Sequence, residues 1–225
     1  MAEVESVLVG NSVPARIFYS LVRLIVVVFC RTWLKLSVSG GQNIPVSGPF
    51  ILAPVHRSNM DIPIASAVTR RRMRFMGKDS LWRHKLFGSM FSALGAFPVT
   101  RGTADLEALR RCIMVLNSGE PLVLFPEGTR QRGDSLHPLF DGAAYVALKT
   151  HVPIVPVGIG GSENIMPSGS IKIRRHQCVA VIGEPIYPSK IEGSRASRSD
   201  VRDLTGKLES ALQLLFDEAL RISRK

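Results

Sequence analysis

From about residue 50 onward, short apolar runs alternate with helical spacings. The runs Phe50–Ala53, Met73–Met76, Leu122–Phe125, Ile154–Ile159 and Val179–Ile182 have the length of strands and are bounded by Gly, Pro or charged residues. Continuous apolar runs of this kind suit strands buried on both faces. Between them, apolar residues recur at three- and four-residue intervals, which predicts helices over Ile62–Thr69, Lys85–Leu94, Ala104–Asn117, Gly142–Lys149 and from about Ser199 to Ile222. In the last of these, Leu204, Leu208, Leu212 and Leu215 form one apolar stripe. The alternation predicts an α/β fold: a single domain with a mostly buried mixed sheet flanked by helices.

The N-terminal pattern differs. "ARIFYSLVRLIVVVFCRTWLKL" is apolar but broken by Arg16, Arg23, Arg31 and Lys35. Its longest uncharged run, Leu24 to Cys30, is shorter than the roughly 20 residues needed to span a bilayer. Successive helical residues are about 100° apart, which places the four cations within roughly a third of the circle. That is an amphipathic helix suited to a membrane interface, apolar face down and cations at the headgroups. The alternative is a helix packed on its own domain. The chain opens with Glu3 and Glu5 rather than a basic run, which argues against a signal peptide. The expected organisation is therefore a membrane-associating segment over 1–38 and a domain over 39–225.

Charge adds a partner class. Lys and Arg number 29 against 18 Asp and Glu, and a net charge of +11 implies an anionic partner: nucleic acid, an anionic membrane surface or a phosphorylated substrate. Aromatic residues are only 7% and no nucleic-acid-binding signature is present, so nucleic acid is not expected. Cys30, Cys112 and Cys178 are far apart, with neither a disulfide framework nor a metal-ligand spacing, and are expected to be buried packing residues.

Four stretches could carry chemistry. In "HRSNMD", His56 and Asp61 would lie roughly 140° apart if both were mid-helix and could not meet. Pro63 favours the first turn of a helix, so His56 falls in a loop from which Asp61 can fold back beside it. Asp61 is then either a helix cap with an incidental His56, or the group that orients an imidazole base. In "LVLFPEGTRQRG", Pro126 to Gly128 turn the chain beyond a strand end, where ligands of α/β sheets bind. Glu127 there can accept from hydroxyls and Arg130 can hold a phosphate, although a solvated turn would look the same. "GAFPVTRG" places Arg101 after a short β-like run, and "FMGKDSL" offers Lys78. "VPIVPVGI" is a buried-strand signal with no reactive group.

In chain order, "HRSNMD", "GAFPVTRG", "FPEGTR" and "VPIVPV" resemble the four blocks of the glycerolipid acyltransferase family, in particular the 1-acylglycerol-3-phosphate acyltransferases. The resemblance covers about residues 39 to 190, and "LFDGAAYVALKTHVPIVPV" and "IGEPIYP" extend it. Two departures stand out: Val55 where the family usually has Asn, and Pro98 and Thr100 where it tends to aliphatic and acidic residues. The resemblance implies transfer of a fatty acyl group from acyl-CoA or acyl-carrier protein to 1-acylglycerol-3-phosphate, giving phosphatidic acid. Glycerol-3-phosphate or another lysophospholipid is the alternative acceptor, and a non-catalytic binder of anionic membranes the alternative function. His56 resembles the general base and Asp61 its orienting partner. Glu127, Gly128 and Thr129 resemble the acceptor-site block, with Lys78, Arg101 and Arg130 as phosphate contacts. No metal and no cofactor beyond the thioester co-substrate is implied. The expected setting is the cytoplasmic face of a membrane, held there by the N-terminal helix and patches such as "RRRMR".

Overall fold

The computed structural model describes residues 10, 12–99, 106–167, 169–189 and 197–224. The first helix, α1 (Val13–Thr32), is capped by Ser12, whose hydroxyl accepts from the Ala15 N–H, with Pro14 in its first turn. Seven strands and six further helices follow among the described residues: β1 (Ser37–Ser39), β2 (Ile51–Pro54), α2 (Asp61–Ala67), β3 (Arg74–Lys78), α3 (Lys85–Ala93), β4 (Ala96–Val99), α4 (Leu106–Asn117), β5 (Leu122–Val123), α5 (Gly142–Thr150), β6 (Ile154–Gly160), α6 (Ser162–Ile165), β7 (Val179–Ile182) and α7 (Arg198–Ser223).

The strands form one mixed sheet in the order β1-β7-β6-β2-β5-β3-β4. β2 lies at its centre, parallel to β6 on one side and β5 on the other. β3 and β4 continue the parallel set, whereas β6 and β7 pair antiparallel. Every residue of β2 and β6 is buried, as their unbroken apolar runs predicted. The parallel strands all point the same way, so the loops after β2, β3, β4, β5 and β6 gather along one edge of the sheet. That edge carries the candidate chemistry.

The long helix α7 covers β6 and β7. Its buried residues include Leu204, Leu208, Leu212 and Phe216, four apart, so Phe216 rather than Leu215 completes the deepest stripe and Leu215 is only partly buried. A capping box holds its start: the Ser197 hydroxyl accepts from the Asp200 N–H, and the Asp200 carboxylate accepts from the Ser197 N–H. The sequence expectation missed β1, a three-residue edge strand of "SVS", and the one-turn α6, both too short to set a period.

α1 packs one side on the domain. Cys30 and, just beyond it, Leu34 enter the main core, and the Tyr19 hydroxyl accepts from the Met73 N–H. Its opposite side leaves Ile17, Leu21, Leu24, Ile25 and Val28 exposed. At 20 residues it is about 30 Å long and, by length and apolar composition, long enough to cross a membrane, which its longest uncharged run had not suggested.

All three cysteines are buried and unpaired, and burial pushes the Cys112 thiol up to about 12. They should resist iodoacetamide at pH 8 in the native protein and react only on unfolding, as read by mass spectrometry. A second expectation concerns Gly158 on β6. A Cβ there would stand 2.2 Å from the Leu215 carbonyl oxygen, against helix backbone that cannot yield. Gly158→Ala should therefore lower stability by at least about 1–3 kcal/mol, seen as an earlier urea midpoint.

Candidate active site

His56 comes two residues after β2 ends, and the chain turns there through "HRSNM" into α2. Asp61 is the first residue of α2, and Pro63 sits in the same first turn, where proline is tolerated. The tight entry lets the Asp61 side chain reach back. Its Oδ2 lies 3.0 Å from His56 Nδ1 and accepts the backbone N–H groups of Arg57 at 2.6 Å and Ser58 at 2.7 Å. Asp61 thus binds the loop that precedes its helix, and the pair meets as the Pro63 reasoning required.

An oxygen that already accepts two amide protons has none to offer, so the proton between the residues belongs to His56 Nδ1. Nε2 is then the basic nitrogen and has no protein partner among the described residues. The imidazole is stacked on Phe125, with ring centroids 4.0 Å apart and planes 22° from parallel. It is held on an edge and a face and has only a narrow opening to solvent.

The loop after β5 supplies the second half of the site. Glu127 is buried, and its carboxylate accepts from the His56 N–H at 2.9 Å, the Arg57 guanidinium at 2.7 Å and the His137 N–H at 3.2 Å. By its chemistry alone Glu127 can accept from hydroxyls. Here both oxygens are taken by protein donors, so it shapes the site by fixing the His56 backbone. The Gln131 N–H adds a second tie, 2.8 Å to the His56 carbonyl. Gly128 takes a positive φ of 69°, and a Cβ there would meet the Phe140 ring at 2.7 Å, so any other residue would strain the turn and displace the ring. Thr129 and Arg130 follow it on the exposed surface of the same loop.

Lys78 ends β3 on the same sheet edge, in register with Val99 at the end of β4, and is exposed. Arg101 lies outside the described residues. The structure therefore brings together His56, Asp61 and Glu127, and leaves Lys78 and Arg130 as exposed cations on the strand-end edge.

Arg57 was not anticipated. It is 2% exposed, and its guanidinium pairs with Glu127, donates to the carbonyls of Gly133 and Ser135, and lies over the Phe216 ring at 4.7 Å. A charged residue just beyond an apolar strand run was the available signal, but charge alone reads as a solvated position. Among the described residues no group of His, Cys, Asp and Glu has the makings of a metal site.

A basic Nε2 at the C-terminal edge of the parallel strands, backed by a carboxylate and a rigid loop, defines an α/β protein equipped to take a proton from a hydroxyl. Residues 35–160, more than half the chain, match the family model described as Acyltransferase; the chain belongs to that family. It is 29% identical over 200 residues to the 1-acyl-sn-glycerol-3-phosphate acyltransferase of Bacillus subtilis, covering 80% of this chain and 98% of that one. It is 33% identical over 162 residues to the chloroplastic 1-acyl-sn-glycerol-3-phosphate acyltransferase BAT2 of Brassica napus. That match covers 70% of this chain and 47% of the plant protein, so the chain spans about half the length of that plant relative. The crystal structure of the 1-acyl-sn-glycerophosphate (LPA) acyltransferase PlsC from Thermotoga maritima superposes with a TM-score of 0.71 at 26% identity, covering 88% of this chain and 80% of that one.

The buried Arg57–Glu127 pair makes a stability prediction. Arg57→Met leaves the Glu127 carboxylate dry and without its counter-charge and should cost about 3–5 kcal/mol. Adding Glu127→Gln to that variant should recover part of the loss in urea denaturation, because the amide oxygen still accepts the His56 N–H while no charge remains unpaired.

Proposed function

We propose that this chain transfers an acyl group from a thioester donor to the free hydroxyl of a 1-acylglycerol-3-phosphate. The observation that carries the reading is the His56–Asp61 pair with Nε2 unpartnered at the strand-end edge, and the names of the relatives point to the same acceptor. His56 Nε2 takes the hydroxyl proton as the oxygen attacks the thioester carbonyl. The tetrahedral intermediate collapses, the carbon–sulfur bond breaks and the thiolate leaves, taking back the proton from the imidazolium. Asp61 supports the imidazolium charge and keeps Nε2 aimed. Lys78, Arg101 and Arg130 are the cations assigned to the acceptor phosphate, and Gly128 and Thr129 the loop that borders it. Acyl-CoA or acyl-carrier protein serves as donor, and no metal or further cofactor takes part. The sequence holds no Gly-x-Ser-x-Gly elbow, which favours direct attack within a ternary complex over an acyl-enzyme.

The substrates reside in membranes, and α1 turns its exposed Leu21, Leu24, Ile25 and Val28 away from the domain. We assign segment 1–38 to an interfacial anchor at a cytoplasmic leaflet, with 39–225 as the catalytic domain.

His56→Ala should reduce transfer from radiolabelled acyl-CoA by at least about a hundredfold while leaving the thermal midpoint near that of the unsubstituted protein. Unimpaired transfer would end the base assignment. In a panel of acceptors the lysophosphatidic acid reaction should exceed those of glycerol-3-phosphate and other lysophospholipids. An acyl-protein trapped with donor alone would contradict direct attack. Leu21→Glu with Ile25→Glu should abolish vesicle flotation without unfolding the domain, since both side chains face away from it.

A further inference from the structure

The basic run "RRRMR" does not form one surface patch. Arg74 is buried and paired with Glu120, and Arg72 donates to the Ala93 carbonyl and lies over the Tyr19 ring at 5.2 Å. Arg70 and Arg71 turn the other way. With Arg23 and Arg31 of α1 they line a groove of about 680 Å³ between α1 and the loop that follows α2. Arg23 and Arg31 stand two turns apart on the same side of the helix. None of the four forms an ion pair with a carboxylate among the described residues. Arg23 donates to the Thr69 carbonyl and Arg71 to the Pro45 carbonyl at 3.1 Å, which fixes those two guanidiniums without neutralising them. The Nε of Arg23 is buried and has no hydrogen-bond partner among the described residues.

Four cations facing one groove repel one another, so an anion between them would relieve that repulsion and supply the missing acceptors. The groove is far from the catalytic pair. The Arg71 guanidinium lies over Phe50, the residue before β2, at 5.3 Å, whereas His56 follows the other end of that strand. Six residues of extended chain separate the two by about 20 Å. The groove's outer wall is apolar: Val46 is 96% exposed and Val38 42% exposed, beside the apolar outer face of α1.

We propose that this groove is a second, non-catalytic lipid site, in which the phosphate of an anionic membrane phospholipid sits among Arg23, Arg31, Arg70 and Arg71 while its acyl chains run over Val46 and the outer face of α1. It deepens the membrane assignment made above, and it specifies headgroup charge where the apolar face of α1 specifies only a bilayer. Occupied, it would pin α1 and the end of α2 to the leaflet and so set the orientation in which the strand-end edge meets its acceptor.

The test is flotation with vesicles of phosphatidylcholine alone and of phosphatidylcholine containing phosphatidic acid or phosphatidylglycerol. Arg31 and Arg70 are exposed and make no hydrogen bonds among the described residues, so Arg31→Ala/Arg70→Ala should fold normally, as checked by thermal unfolding. The pair should weaken binding to the anionic vesicles by about fivefold per arginine, roughly twenty-five-fold together. Its binding to phosphatidylcholine alone should be unchanged. A control, Arg202→Ala/Lys207→Ala on the exposed side of α7, removes the same charge and should change anionic binding by no more than about twofold. Equal losses in the two double variants would overturn the site in favour of general charge attraction, and so would unchanged anionic binding by the groove variant. Acyl transfer to a detergent-dispersed acceptor should be unaffected by the groove variant; a loss there would place the arginines in the reaction instead. Flotation does not depend on turnover, so failure of the acyltransferase reading itself, reported by His56→Ala, is read separately.

Discussion

The buried carboxylate of Glu127 holds the two halves of the site together. It stands beyond β5, and through the His56 N–H and the Arg57 guanidinium it binds the loop beyond β2, the adjacent parallel strand. A charge so enclosed survives only with full compensation, which Arg57 and two backbone amides provide. Arg57 in turn spreads the constraint: its other nitrogens hold the carbonyls of Gly133 and Ser135, and its plane rests on Phe216 of α7. The loop after β2, the loop after β5 and the long C-terminal helix are thereby one unit. His56 inherits a fixed backbone, and the Asp61 contact and the Phe125 stack then leave its ring little freedom.

That rigidity suits the role proposed for His56, since a base so held would meet a hydroxyl at hydrogen-bond distance without reorganising first. Asp61 serves twice, since the oxygen that orients the imidazole also binds the Arg57 and Ser58 amides at the start of α2. Helix entry and base orientation are one arrangement, so a change to either disturbs both.

The placement of charge follows a related logic. α1 does not turn its apolar side inward as a helix of a soluble domain would. It gives Tyr19, Arg23 and Cys30 to the domain and keeps a broad apolar side outside. The excess of positive charge is likewise sorted: Arg57, Arg72 and Arg74 are bound within the fold, while Arg70 and Arg71 join the α1 arginines in a groove. A net charge of +11 says that an anion is wanted, but it does not say where.

The sequence by itself determined the alternation of buried strands and helices, because a strand covered on both faces must be apolar throughout and a covering helix must repeat near 3.6. It also determined that His56 and Asp61 could meet, since Pro63 restricts where α2 can begin, and the ordered blocks pointed to the family. Edges and short elements escaped: "SVS" and the one-turn α6 carry too few residues for a period. Only the tertiary structure decided that Glu127 faces Arg57 rather than substrate, that Phe216 rather than Leu215 closes the α7 stripe, and that a run of arginines divides between core and groove. Each of those outcomes depends on what an element packed from elsewhere in the chain brings alongside: a counter-charge, a ring or a free carbonyl. Local spacing specifies which face a residue occupies, and the partner waiting on that face is set by topology.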